Sequence, residues 1–132
     1  MLLYPMPTIG LSHTSTLTVD PTDTATAQGS GNLPVLATPR MVALMENAAM
    51  TAVASSLDEN ETTVGGHINT SHLCPTAIGA TITATAVLTA VEGRKLTFSV
   101  EAHDAEGRLL GNGTHVRFVV DKTKFMGKLT SH

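Results

Sequence analysis

The feature that most constrains the fold is the alternation of residues 81–91, TITATAVLTAV, in which apolar side chains take turns with mostly threonine. Successive side chains of a β-strand point to opposite faces, so this pattern predicts a strand with one buried face. Because the side chains of that face are mostly small, a second layer can pack closely against it. The predicted face carries Ile82, Ala84, Ala86, Leu88 and Ala90.

Two more strands are predicted after it, at residues 95–103 and 108–121, behind the short turns EGR and DAEG. Short turns between alternating runs are typical of hairpins, so the three strands form an antiparallel meander. The predicted buried faces carry Leu96, Phe98, Val100 and Ala102 in the first strand and Val116, Phe118 and Val120 in the second.

A long apolar helix is predicted from Thr38 to about Ser56, between strands at residues 12–20 and 62–74. Thr38 would be the N-cap, since Pro39 suits the first helical position. Because the helix and the sheet must bury each other, the predicted fold class is α+β. A curved antiparallel sheet would wrap around the central helix.

The chain is predicted to be a single domain, residues 1–132, with its core at about 12–128. A net charge of −3 with 14% charged residues argues against a nucleic-acid partner. The single cysteine fits a cytoplasmic protein, and neither a signal peptide nor a membrane span is expected. Lys122, Lys124 and Lys128 indicate either an anionic ligand or a solvated tail.

One carboxylate, Glu46, interrupts the predicted helix, which looks buried nearly all round. Its neighbours one turn away are Val42, Ala43, Ala49 and Met50, so no cation of the helix can pair with it. A carboxylate without a partner in apolar surroundings is costly, and such a group suits a general acid or base. The alternative is that Glu46 lies at the rim and reaches water.

Two histidines lie on the strand that follows the helix. His67 and His72 are five residues apart and therefore point to opposite faces, which excludes a metal site built from both. His72 is either structural or catalytic. Cys74 would share its face, but no further motif supports a Cys/His nucleophilic pair.

Thr38, Gly65 and Gly66 complete the candidates. Thr38 either caps the helix or, beside the N–H groups of the helix start, stabilises a carbonyl oxygen that gains negative charge. Glycines within a strand mark a bulge or leave room for a ligand against the backbone.

Three segments resemble one known family: ATPRMVALMENAA, VGGHINTSHLCPTAIG and GNGTHVRFVVDKTKF. Their order and spacing are similar to those of hotdog-fold thioesterases related to fluoroacetyl-CoA thioesterase, and the resemblance covers roughly residues 12–128. It implies a homodimer, possibly a dimer of dimers, in which the two sheets of a dimer join and active sites lie at the subunit interface.

The resemblance also implies a catalytic set of Thr38, Glu46 and His72 that hydrolyses an acyl-CoA thioester, with no metal and no cofactor besides the CoA of the substrate. Gly65 would lie by the acyl group and Arg117 near the site. Gly66, Lys122 and Lys124 are further candidates for substrate contacts, the two lysines at the CoA phosphates.

Residues 29–37, GSGNLPVLA, lack the aromatic side chains of the fluoroacetate-specific enzyme, so another small or medium acyl group is expected. Two alternatives stay open: a non-catalytic hotdog module that binds an acyl thioester or another small apolar ligand, and a hotdog dehydratase.

Overall fold

The computed structural model describes residues 6–130. Residues 1–5, part of the segment considered for a signal peptide, and residues 131–132 of the predicted domain lie outside the described residues. The elements in chain order are β1 (Ser12–Thr18), a 3-10 turn (Pro21–Asp23), α1 (Ala25–Gln28), α2 (Thr38–Ala54), β2 (Glu61–His72), β3 (Thr81–Glu92), β4 (Lys95–Asp104), β5 (Leu109–Asp121) and α3 (Lys122–Thr130).

The five strands form one antiparallel sheet in the order β1-β3-β4-β5-β2. The predicted meander is β3, β4 and β5, because consecutive strands joined by short turns pair with each other. β1 and β2 are the edges of the sheet. The α+β class, with one long helix packed on an antiparallel sheet, is confirmed.

The core lies between α2 and one face of the sheet. One face of α2 is buried through Met41, Leu44, Met45, Ala48, Ala49, Ala52 and Val53. Each large apolar side chain buried in this way contributes about 1.5–3 kcal/mol. The helix approaches β5 closely at Gly111, where an added Cβ would lie 2.7 Å from Met41 Cε and 2.6 Å from the backbone oxygen of Ser71. A side chain at position 111 would therefore collide with the β2 backbone and displace the Met41 side chain.

The buried faces predicted for β3 and β4 are confirmed except at Ala90. The β3–β4 register shifts between Leu88 and Ala90, so Thr89 is an extra residue. The faces of β3 invert after such a bulge. Ala90 is only half-buried, and Val91 packs against the core in its place.

The buried face predicted for β5 is wrong. Val116 and Val120 are half-buried and Phe118 is exposed, whereas His115 and Arg117 are buried. The prediction followed apolar alternation, but the inward face of β5 is polar here. Hydrogen bonds to β2, given below, make this burial possible.

Two predictions about α2 also need correction. The N-cap is Ala37, and Thr38 is the first helical residue, so the Thr38 side chain does not cap the helix. The helix is not buried all round in the single chain, since Ala43, Met50 and Ala54 are exposed on the side away from the sheet. The polar positions were too few to reveal this side from the sequence.

The segment after β5 is a helix, α3, that the sequence did not predict. None of its residues is buried, and its first turn carries the exposed Lys122 and Lys124. Asp121 caps it through a hydrogen bond of 3.0 Å from the Lys124 backbone N–H. Within residues 6–130, no helix has the length and apolar character required to cross a membrane.

Candidate active site

Thr38 and His72 form a direct pair at the start of α2. Thr38 Oγ1 and His72 Nδ1 are 2.6 Å apart, so they share a hydrogen bond. The helix start and the end of β2 hold the two residues, which are 34 positions apart in the chain. The hydroxyl is available for this contact because it is not used as a cap.

The second ring nitrogen of His72, Nε2, has a different environment from Nδ1. His72 Nε2 is buried and has no hydrogen-bond partner within residues 6–130. Burial lowers the pKa of His72 below its usual value, and a backbone interaction with Cys74 opposes this. A neutral imidazole with one unused nitrogen can exchange a proton with a bound molecule.

A cleft of about 320 Å³ adjoins this pair. It is lined by Thr38 and His72 together with residues of 25–36 and 73–75, among them Leu36 and Cys74. This lining contains no aromatic side chain. Its size is at the lower end of what small-molecule sites occupy. Cys74 is a free thiol, half-buried and packed against the core.

Glu46 lies with a second group of polar side chains, around Gly65. A Cβ added to Gly65 would lie 3.3 Å from Glu46 Oε2, 3.4 Å from His115 Cε1 and 3.6 Å from Arg117 Nη1. The three side chains therefore converge on the exposed Gly65 and approach it more closely than a larger residue would allow. The surroundings of Glu46 are thus not apolar, since Arg117 and His115 approach it from the sheet.

Arg117 is held in this group by a buried network. Its Nε donates to Thr63 Oγ1 at 2.7 Å, its Nη2 donates to the Thr63 carbonyl oxygen at 2.8 Å, and its Nη1 lies 3.2 Å from His115 Nε2. Burial lowers the pKa of Arg117, and the nearby Glu46 opposes this shift. A guanidinium stays protonated even so.

His115 and Thr63 were missed by the sequence reasoning. A signal was present, because His115 and Arg117 are in phase with Gly111, Gly113 and Val119 along β5. A glycine pair followed by polar residues in one phase indicates a face that must accommodate something other than an apolar core.

The other predicted substrate contacts are dispersed. Gly66 is the extra residue of a bulge in β2, as the sequence suggested, and it lies within the strand rather than at its start. The Phe118 ring covers Gly66, so no space for a ligand opens there. Lys122 and Lys124 lie beyond the end of β5 that is remote from His72.

One chain does not bring the three predicted catalytic residues together. Thr38 and Glu46 are eight positions apart in α2, which is about 12 Å along the helix axis. Gly65 and His72 are seven positions apart in β2, about 23 Å along the strand. The pair at Thr38 and the group at Glu46 are therefore two separate half-sites.

The described part of the chain contains no candidate metal site. Among residues 6–130, no three His, Cys, Asp or Glu side chains are placed to hold a metal ion. The chemistry available from the half-sites is proton transfer by an imidazole and a carboxylate, with a fixed guanidinium nearby.

Comparison with known proteins gives the same family from sequence and from structure. The family of the fluoroacetyl-CoA-specific thioesterase FlK matches residues 19–123. The fluoroacetyl-CoA thioesterase of Streptantibioticus cattleyicolor is 43% identical over 95 residues, which are 72% of this chain and 68% of that protein.

Two solved structures extend the match to the fold. A mutant of FlK in complex with fluoroacetate and CoA is 36% identical with a TM-score of 0.83, covering 90% of this chain and 99% of that chain. A thioesterase superfamily member from Thermus thermophilus is 27% identical with a TM-score of 0.86, covering 96% and 93%. This chain belongs to the fluoroacetyl-CoA-specific thioesterase family and has the predicted hotdog fold.

Proposed function

We propose that this protein is an acyl-CoA thioesterase that releases a small or medium carboxylate and free CoA. The observation that carries the proposal is the convergence of Glu46 and Arg117 on the exposed Gly65. A carboxylate at an exposed position can act on a bound carbonyl carbon or on water. Membership of a thioesterase family supports the same reaction.

The proposed chemistry uses both half-sites. Glu46 takes a proton from water, the hydroxide attacks the thioester carbonyl carbon, the C–S bond breaks, and the CoA thiolate takes up a proton. In a second route the Glu46 carboxylate attacks the carbonyl carbon itself, and water opens the resulting anhydride. With Thr38 donating to His72 Nδ1, the ring proton lies on Nε2 and can be donated to the substrate. The N–H groups at the start of α2 favour the developing oxyanion.

A homodimer is proposed to complete the site. Residues 65–72 of the edge strand β2 are exposed except for Thr70 and His72, and the exposed side of α2 carries the apolar Ala43, Met50 and Ala54. An unpaired edge strand is a template for pairing with a second copy. A partner on this edge would also cover that side of α2.

The register of such a pairing follows from symmetry. In an antiparallel pair of identical strands about a two-fold axis, the numbers of facing residues add to a constant. Because facing side chains lie on the same side of the sheet, the axis passes through a residue; an axis through Asn69, near the middle of the exposed stretch, places His72 opposite Gly66 of the partner subunit, next to Gly65 of the partner subunit. The Glu46 group of one subunit then meets the Thr38–His72 pair of the other.

The remaining features of the proposal concern substrate and location. The cleft of about 320 Å³ beside Thr38 suits a small acyl group without aromatic contacts. Lys122 and Lys124, exposed in α3, are proposed to bind the CoA phosphates. No cofactor besides the CoA of the substrate is proposed, and the free thiol of Cys74 fits the reducing cytoplasm.

The decisive experiment is release of free thiol from short, branched, aromatic and long acyl-CoA thioesters. Wild type should turn over at least one small substrate, and Glu46→Gln should lose about 10²-fold or more in kcat. The exposed Glu59→Gln serves as the matched control and should keep wild-type activity. Saturable binding of the thioesters without turnover would instead identify a binding module.

Mixed dimers test the division of the site between subunits. Glu46→Gln and His72→Ala chains, inactive alone, are co-expressed with two different tags and the mixed species is purified. If one subunit supplies Glu46 and the other His72, the mixed dimer regains one intact site and about half of the wild-type activity. Absence of any recovery would place all three residues of a site on one chain.

A further inference from the structure

His115 is the most deeply buried histidine of the described chain and has no part in the chemistry proposed above. Its side chain is 1% exposed. It lies under α2, with the Phe98 ring of β4 at a centroid distance of 6.3 Å. The burial of an imidazole at this position needs a physical explanation, because two of its neighbours are the charged Glu46 and Arg117.

Both ring nitrogens of His115 are engaged, and their partners decide the tautomer. Nδ1 lies 2.7 Å from the His67 carbonyl oxygen, which can only accept a hydrogen bond, so Nδ1 carries the proton. Nε2 lies 3.2 Å from Arg117 Nη1, which can only donate, so Nε2 offers its lone pair. The ring is therefore neutral, with a donor toward β2 and an acceptor toward Arg117.

The bulge in β2 makes this arrangement possible. Gly66 is the extra residue, and the register resumes at His67, whose carbonyl oxygen then faces the His115 ring. Arg117 is held from two sides, by Thr63 and by His115, and its Nη1 lies beside the exposed Gly65.

We propose that His115 is a positioning residue for thioester hydrolysis, because its Nε2 fixes the Arg117 guanidinium beside Glu46 and the exposed Gly65. The inference rests on the proposed function and names a residue that acts through Arg117. The charged and titratable groups that face His115 are Glu46 from α2, His67 from β2 and Arg117 from its own strand. Protonation of His115 would place a second cation against Arg117, so the neutral ring is the working form.

Two variants separate the two hydrogen bonds of the ring. His115→Gln places an amide oxygen near the position of Nε2 and keeps an acceptor for Arg117, whereas His115→Asn keeps only a donor for the His67 carbonyl oxygen. We expect kcat to stay within about three-fold of wild type in His115→Gln and to fall about ten- to a hundred-fold in His115→Asn. The exposed His13→Asn is the control for removal of a histidine and should not change kcat.

A double-mutant cycle with Arg117→Lys tests whether His115 acts through the guanidinium. Lysine retains the charge but not the fork of donors that Thr63 and His115 hold. His115→Asn should therefore cost little further activity in the Arg117→Lys background. Full additivity of the two losses, or equal losses in His115→Gln and His115→Asn that follow thermal stability, would overturn the proposal.

One measurement is independent of turnover and separates this inference from the proposed function. Long-range proton–nitrogen NMR spectra should show His115 neutral and protonated at Nδ1 at pH 6, below the point where a free imidazole titrates. A ring protonated at Nε2 would overturn the inference even in an active enzyme. Conversely, the expected tautomer in a protein that turns over no thioester would refute only the reaction.

Discussion

The two half-sites differ in how deeply their polar side chains are buried and in how many hydrogen bonds hold them. Thr38 and His72 share a single hydrogen bond beside an open cleft, and Thr38 itself is exposed. Arg117 and His115 are buried, connected to β2 by three hydrogen bonds and to each other by a fourth polar contact, with Glu46 at their edge. The Thr38–His72 pair should contribute little to the free energy of unfolding, whereas the buried network of Arg117 and His115 should contribute substantially to it. Substitutions should therefore separate activity from stability at the first and damage both at the second.

The largest effect is expected from Arg117→Met. The apolar side chain fills similar space but leaves Thr63 and His115 without their donor. Breaking a buried network from one side should lower the free energy of unfolding by roughly 3–5 kcal/mol, measured by chemical denaturation. Arg108→Met, which loses an exposed ion pair with Asp104, should cost about 1 kcal/mol or less. Equal costs for the two variants would show that the Arg117 network stabilises the fold no more than a surface ion pair does.

Thr38→Val should have the opposite signature. Because Ala37 and not Thr38 is the N-cap, stability should change by no more than about 0.5 kcal/mol. Loss of the hydrogen bond to His72 should lower kcat about ten- to a hundred-fold in the thiol-release assay. Thr38→Ser, which keeps the hydroxyl, should retain most of the activity. A Thr38→Val protein as active as wild type would exclude Thr38 from the chemistry.

Gly65→Ala sharpens the comparison within the Glu46 half-site. The added methyl group would crowd Glu46 Oε2 at 3.3 Å and His115 Cε1 at 3.4 Å. We expect about a ten-fold fall in kcat/KM. The free energy of unfolding should be unchanged or rise by about 0.4–1 kcal/mol, because alanine restricts the unfolded chain. Gly127→Ala, which meets no atom within 4 Å, is the control. Unchanged activity in Gly65→Ala would mean that no substrate contacts this position.

The smallest effect concerns acid stability. Burial lowers the pKa of both His72 and His115 in the folded protein. Below about pH 6.5 the unfolded chain therefore binds more protons than the folded one, and stability falls as the pH decreases from there. His115→Gln should flatten this loss more than His72→Gln, because His115 is the more deeply buried. Thermal unfolding between pH 5 and 7.5 checks the order, and a steeper dependence on His72 would reverse it.

The sheet and the long helix were predictable because they depend on local periodicity. The threonine alternation of residues 81–91 and the turns after it place β3, β4 and β5 almost without error. The wrong assignments of buried residues have two causes. The bulges at Gly66 and Thr89 shift the register by one residue, and the inward face of β5 is polar. Neither effect is visible to a rule that assigns apolar side chains to the inside.

The candidate site, like the fold, could be predicted from the sequence only in part. Glu46, His72 and Thr38 could be selected from residue type and motif spacing, and the contact between Thr38 and His72 follows once α2 packs on the sheet. The separation of Glu46 from that pair could not be predicted. It depends on where the helix axis crosses the strands, which is a property of the packed layers.

The sequence by itself determined which segments form strands and helix and which family the chain belongs to, because alternation, the turns and three motifs are local properties of the chain. Only the tertiary structure decided that Arg117 and His115 lie buried beside Glu46. Polar groups are tolerated inside when every donor finds an acceptor. Those acceptors come from β2, which lies some fifty residues away in the chain.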